Sequence, residues 1–443
     1  SAGTATARSK QAGVKAKSAL AAATARKQAA AAAAGVSSAA PAGSQAPSQA
    51  SSQAATRQAD VEDPRPKPRQ AARSIVAAGL TASDLARLAS QGFRSAGRTS
   101  GTLASVVRLD IPRGMSLDQA RRAVSVVDAG ATADLDHYYY TDEGPDSCAG
   151  GNCTVASLVG WSPAASRACD AAPEIGLIDT AVDVRHEALR DQSVEILATG
   201  RPGAVPSQPE HGTAMAALLV GRTDSGTPGL LPHARLVAVD AFSRDGRNAD
   251  RADVVSLVSA LEALVRRDIR VINMSLSGPP NEVLRQAVEA AQAKGVLIVA
   301  AAGNNGPGAE PSFPAAYAGV VAVTAVDQDL KIYARATRGA YIDLAAPGVG
   351  IRTASAAGTT AVKSGTSYAV PFIAAAAALV RSGEPALDVT SMRARLEANT
   401  RDLGEPGRDT TYGFGLIQMS KLCPPLPNER PIAQSGAPQT ETP

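Results

Sequence analysis

Gly365-Thr366-Ser367-Tyr368-Ala369-Val370-Pro371 runs directly into the apolar, alanine-rich stretch Phe372-Ile373-Ala374-Ala375-Ala376. A serine flanked in this way sits just before a helix, so its hydroxyl lies at a helix N-terminus. Unpaired backbone N–H groups there favour developing negative charge. A hydroxyl alone is a poor nucleophile, so the chemistry needs a base, and the base needs an orienting acid.

The chain has four histidines, at 137, 186, 211 and 233. His211 opens His211-Gly212-Thr213-Ala214-Met215-Ala216-Ala217-Leu218-Leu219-Val220, a run long enough for a buried helix, and Gly212 allows another segment to approach closely. His186 stands in the polar run Arg185-His186-Glu187 and reads as a loop residue; His233 follows Pro232 in a turn. The acid is sought at the end of a buried strand, where open α/β sheets place functional groups. Glu174-Ile175-Gly176-Leu177-Ile178-Asp179 is such a strand, although an Asp there also serves as a turn cap.

Between residues 171 and 421 strand and helix patterns alternate. Strands are expected at 174–179, 235–240, 269–275, 296–301 and 319–326, and helices at 211–221, 251–267, 281–294 and 367–381. This order implies an α/β fold, a parallel β-sheet flanked by helices on both faces.

Asp179, His211 and Ser367 fall in the order Asp…His…Ser, which is the order of subtilisin. The chain resembles the subtilisin-like (subtilase) serine proteases, and in more than three residues. Ile178-Asp179-Thr180, His211-Gly212-Thr213 and Gly365 to Pro371 look like the family's three catalytic motifs. Val271-Ile272-Asn273-Met274-Ser275-Leu276-Ser277-Gly278-Pro279 resembles the strand lining a wall of its specificity pocket. Ala300-Ala301-Ala302-Gly303-Asn304-Asn305-Gly306 resembles the segment carrying its oxyanion asparagine. Phe313 to Tyr317, Ala345 to Gly348 and Tyr412 to Ile417 follow in family order. The resemblance covers about residues 171 to 421. The chain departs from the family at Ala181, Ala214, Tyr368 and Ser277, where Gly, His, Met and Gly are usual. Only Ser277 bears on substrate choice, since its side chain narrows the pocket wall.

The resemblance implies a serine endopeptidase made as a zymogen. Its catalytic residues would be Asp179, His211 and Ser367, with Asn304 in the oxyanion hole. Ser275, Leu276, Ser277, Gly278, Ala302 and Gly303 would bind substrate. The partners implied are protein or peptide substrates. No cofactor is required, and no residue set marks the structural calcium that the resemblance would allow. An inactive relative that binds peptides in the same cleft is the alternative. An α/β-hydrolase esterase is excluded, since it would need Gly-x-Ser-x-Gly and the order Ser…Asp…His.

Residues 1–73 are rich in Ala, Ser, Gln, Lys and Arg and read as a low-complexity tail, with helical propensity from Ser18 to Ala34. They hold eleven basic and three acidic residues, although the chain carries only +3 overall. The basic excess belongs to the tail and gives no argument for nucleic-acid binding by the folded part. No apolar run is long enough to span a membrane.

Residues 74–140 read as a small α+β unit. Helices start near Thr81 and Ser116, and strands are expected at 104–111 and 133–140. Its position before a subtilisin-like domain resembles that of the family's propeptide, an intramolecular inhibitor whose end, Asp136 to Tyr140, would lie as a strand against Ser275 to Gly278. A plain accessory domain is the other reading. Residues 141–170 form a linker with a cysteine loop, 171–423 the catalytic domain and 424–443 a Pro-rich tail. Cys148 with Cys153 and Cys169 with Cys423 are the expected disulfides of a periplasmic or extracellular protein; free thiols are the other reading, and zinc a rival that lacks accompanying histidines.

Overall fold

The computed structural model describes residues 67–141, 156–161, 173–198, 205–245 and 249–422. The four cysteines and the alanine-rich stretch 18–34 lie outside them. All described residues belong to one compact unit, 62–443.

The first part holds strands β1 (Gln70–Ala78), β2 (Arg94–Arg98), β3 (Val106–Asp110) and β4 (Thr132–Thr141), with helices α1 (Ala82–Ser90) and α2 (Leu117–Val127). Both helices begin with reciprocal capping boxes, Thr81 with Asp84 and Ser116 with Gln119, which satisfy two otherwise orphaned N–H groups each. The strands form an antiparallel sheet in the order β2-β3-β1-β4. Alternation along β1 gives the sheet two buried faces. Ile75 and Ala77 pack with Leu88, Phe93 and Val124 in a core of this part's own, while Val76 and Ala78 join a core belonging to the following part.

The unit starts at Gln70, four residues before the boundary placed at 74. Gln70 to Ser74 share the polar, Arg-bearing composition of the tail, and only pairing with β3 and β4 makes them a strand. A tertiary partner has overridden local composition here.

The second part adds β5 (Glu174–Asp179), β6 (Val194–Leu197), β7 (Arg235–Asp240), β8 (Phe242–Asp245), β9 (Ala249–Asp253), β10 (Val271–Met274), β11 (Leu276–Ser277) and β12 (Leu297–Ala301). It continues with β13 (Val321–Val326), β14 (Leu344–Pro347), β15 (Ile351–Ser355), β16 (Thr359–Lys363), β17 (Thr400–Arg401) and β18 (Leu416–Ile417). Its helices are α3 (Glu210–Val220), α4 (Val254–Arg266), α5 (Glu282–Ala293), α6 (Val370–Gly383) and α7 (Val389–Glu397). Nine strands form one sheet, β17-β18-β14-β13-β12-β10-β5-β7-β6, parallel except at the β17–β18 edge pair.

Alternate residues of each strand enter opposite cores. Ile175, Leu177 and Val299 pack with α3 and α6; Ile178, Ile272 and Ile298 pack with α4 and α5. The doubly covered parallel sheet expected from the alternating pattern is therefore present. The last expected helix divides into a 3-10 turn, Thr366–Tyr368, and α6 beginning at Val370. Pro371 in the first turn of α6 lacks an N–H that would have been unpaired there in any case.

The two parts share a sheet. β4 pairs with β9 on one side and with β11 on the other, so β2-β3-β1-β4-β9-β8 is continuous. Polar anchors fix this join. Glu262 on α4, 1% exposed, accepts from Ser100 N at 2.9 Å and Leu103 N at 3.1 Å. Asp134 accepts from Glu282 N at 2.8 Å, placing a carboxylate at the positive N-terminus of α5. Arg108 bridges Asp136 at 2.7 Å and Asp253, the N-cap of α4, at 2.6 Å. Burial pushes the Asp136 carboxyl up to about 6, against the opposing pull of Arg108.

Replacing Arg108 with Ala should leave the Asp136 and Asp253 carboxylates facing each other without a cation. The expected cost is about 2–4 kcal/mol, since breaking one partner of a buried pair strands the others. Thermal unfolding of the full chain measures it, and a loss below about 0.5 kcal/mol would show the bridge to be idle.

Candidate active site

Four loops converge at the C-terminal ends of the parallel strands. Asp179 is the last residue of β5 and is 1% exposed. His211 is the second residue of α3 and is 2% exposed. His211 Nδ1 lies 2.7 Å from Asp179 Oδ1, which also accepts from Thr180 N at 2.7 Å. With Asp179 ionised, Nδ1 is the donor and Nε2 carries the lone pair.

The close fit of α3 on β5 depends on Gly212. A Cβ there would overlap the carbonyl oxygens of Thr180 and Ala181. Gly212 N instead donates to Thr180 Oγ1 at 2.8 Å, which ties the histidine's helix to the aspartate's strand.

Ser367 lies in the turn Thr366–Tyr368, fully buried, and its carbonyl accepts from Ser275 Oγ at 2.9 Å. Ser275 Oγ in turn accepts from Asn273 Nδ2 at 2.9 Å. The expected pocket wall and the turn carrying Ser367 are thus joined by hydrogen bonds. The Tyr368 ring stands 5.6 Å from the His211 ring, tilted by 60°. That contact brings the serine's own turn against the imidazole.

Asn304 follows β12 and is 4% exposed. Its Oδ1 accepts from Thr366 N at 3.0 Å and Thr366 Oγ1 at 2.9 Å. Both contacts are donors, so they fix which end of the amide is oxygen and leave the NH2 group to donate elsewhere. Gly303 N donates to Thr366 Oγ1 at 3.2 Å, and Ala302 is held by Val323 O at 2.9 Å. Thr366 was not singled out from the sequence, although it stands directly before the serine.

Leu276 and Ser277 form β11, opposite Thr141 and Tyr140 of β4 respectively. Ser277 is buried beside that strand, and Gly278 pairs with Phe313. His186 lies in a loop, as its polar run indicated, but its ring is buried. It is 4% exposed, accepts from Ala188 N at Nδ1 and lies 3.1 Å from Thr359 O at Nε2. Neighbouring charges mark a solvated run, but a turn can fold its one ring inward. Among the described residues no group of His, Cys, Asp and Glu is arranged to hold a metal ion, and no helix is long and apolar enough to cross a membrane.

Comparison with known proteins gives the family. The Subtilase family model matches residues 170–415, so the chain belongs to the subtilase family of serine endopeptidases. Subtilisin BL of Lederbergia lenta is 34% identical over 246 residues, 55% of this chain and 88% of that protein. The minor extracellular protease Epr of Bacillus subtilis is 35% identical over 210 residues, 47% of this chain but only 32% of that protein's length. Fervidolysin from Fervidobacterium pennivorans superimposes with a TM-score of 0.69 over 83% of this chain and 63% of that one. At 19% identity this likeness is one of fold.

Proposed function

We propose that the chain is an endopeptidase zymogen in which Asp179, His211 and Ser367 act as the catalytic triad and the unit Gln70–Thr141 serves as the inhibitory propeptide. The 2.7 Å contact of His211 Nδ1 with Asp179, beside the Ser367 turn, carries the catalytic part of this reading. Ser367 Oγ attacks a peptide carbonyl while His211 Nε2 takes its proton and later returns it to the leaving amine. Asp179 holds the tautomer and stabilises the imidazolium. The oxyanion is met by the Asn304 amide and the Ser367 backbone N–H.

The zymogen part is supported by β4. Lying between β9 and β11, it occupies the place of an added substrate strand, with its main-chain bonds supplied by the cleft walls. Cleavage between Tyr140 and Asp170 would free the cleft. The extracellular relative Epr supports action outside the cytoplasm.

Labelling by a fluorophosphonate, mapped by peptide mass spectrometry, tests the assignment. The label is expected on Ser367 alone, and labelling elsewhere, or none in protein that hydrolyses casein, overturns the triad. Asn304→Ala should lower kcat by about 10²–10³ with a much smaller change in KM. That magnitude was measured on subtilisin, a member of this family. A raised KM at unchanged kcat would instead mean ground-state binding.

A further inference from the structure

Three tyrosines in a row, Tyr138-Tyr139-Tyr140, stand just before the end of the strand that fills the cleft, and each meets different surroundings. Tyr140 turns back to its own part, its hydroxyl donating to Pro68 O at 2.6 Å. The other two are held by the catalytic part. Tyr138 lies under Arg251 of β9, whose guanidinium carbon is 3.8 Å from the ring centre. Tyr139 is completely buried, and its hydroxyl donates to Pro279 O at 3.0 Å.

The Tyr139 pocket has little slack. A Cβ on Gly278 would overlap the ring, so this wall must be bare backbone. Tyr317 stands at the polar end, its hydroxyl donating to Asn281 O at 2.8 Å and accepting from Asn281 N at 2.9 Å. Tyr139 belongs to the core formed with α4 and α5, and none of the three tyrosines enters the core of α1 and α2. The folding of the unit Gln70–Thr141 therefore does not explain Tyr138 and Tyr139; what they fit is the cleft.

We propose that the cleft selects substrate strands carrying two consecutive aromatic residues, the outer stacked on Arg251 and the inner a tyrosine seated against Gly278 with its hydroxyl on Pro279 O. This rests on the reading that β4 stands where a substrate strand lies. Two effects set the preference. An apolar slot alone would accept phenylalanine as well as tyrosine, but a buried carbonyl left without its donor penalises the analogue lacking the hydroxyl. A guanidinium over a ring adds a modest attraction that alanine cannot replace.

The test uses protein purified from expression of the full chain and fluorogenic peptides bearing residues 134–147 of its own sequence. Replacing the peptide's inner tyrosine, the counterpart of Tyr139, with Phe should lower kcat/KM about five- to tenfold. Ala there should lower it about thirtyfold or more. Replacing the outer tyrosine, the counterpart of Tyr138, with Ala should lower it about three- to tenfold. That last factor should fall towards one in the Arg251→Gln enzyme, while the inner tyrosine's preference persists. Because these peptide comparisons are made on the unaltered enzyme, they hold even if Arg251→Gln fails to fold. Rates equal within twofold across the peptides, in an enzyme that digests casein, would overturn the proposal and leave the endopeptidase reading standing. No cleavage of either peptides or casein would overturn both.

Discussion

Ser367→Ala protein should hydrolyse no peptide at a measurable rate and should stay full length wherever the parent is cleaved between Tyr140 and Asp170. The loss expected in kcat is about 10⁶-fold, a figure taken from subtilisin, itself a member of this family. The change removes one hydroxyl oxygen at a fully buried position. The backbone contacts of the turn, from Ser275 Oγ to the carbonyl of residue 367 and from Tyr368 N to Gly365 O, do not involve it. The fold and its thermal stability should therefore change little. Intact mass and hydrolysis, measured beside the parent, separate the two consequences. A variant that still matures would place the cleaving activity in another protein, and one hydrolysing within tenfold of the parent would remove Ser367 from the mechanism.

Much of this site was legible because each of its distant parts stands in a short local pattern. His211 and Gly212 open an apolar run, Ser367 stands just before an alanine-rich one, and Asp179 ends an apolar strand. The sheet was legible for a similar reason. Strands buried on both faces are continuous apolar runs, and β5 and β7 have the bounds expected for them. What sequence did not give are elements whose burial is decided from far away. β1 begins among polar residues, and β9 reads Ala-Asp-Arg-Ala-Asp with no strand pattern at all. Each is made a strand by its partners, β1 by β3 and β4 and β9 by β8 and β4. The anchors Arg108, Glu262 and Arg251 were illegible for the same reason. A charged residue on a helix or strand reads as a solvated face until its partner, here more than 25 residues away in the Arg108–Asp136 pair, is known. Ser277 shows the limit from the other direction. The sequence marked it as a departure in the pocket wall, but only the pairing opposite Tyr140 shows it lying alongside β4.

Asp179→Asn should lower kcat steeply, towards the roughly 10⁴-fold that losing this aspartate costs in subtilisin, itself a member of this family, while leaving the protein folded. Asn is nearly the same shape, so the effect isolates charge and hydrogen-bond polarity from packing. Thr180 N donates to the same oxygen, Oδ1, that meets His211 Nδ1. This backbone donor favours the amide rotamer that keeps oxygen towards the histidine, so the imidazole can retain its Nδ1–H tautomer. What is lost is the negative charge that stabilises the imidazolium formed when Ser367 gives up its proton. The new amide NH2 then occupies the place of Oδ2, which is buried and has no hydrogen-bond partner among the described residues. An unpaired buried donor costs about 1–3 kcal/mol, so the midpoint of thermal unfolding should fall modestly. Asp179→Ala, which lacks both the oxygen and the donor, should lose at least as much activity, because nothing then holds the ring. Steady-state kinetics on one peptide and unfolding curves of the three proteins decide the matter. If Asn keeps activity within tenfold of the parent, the aspartate only orients the ring. If Asn and Ala unfold alike but Asn alone is inactive, the amide has turned its nitrogen to His211 and forced the wrong tautomer.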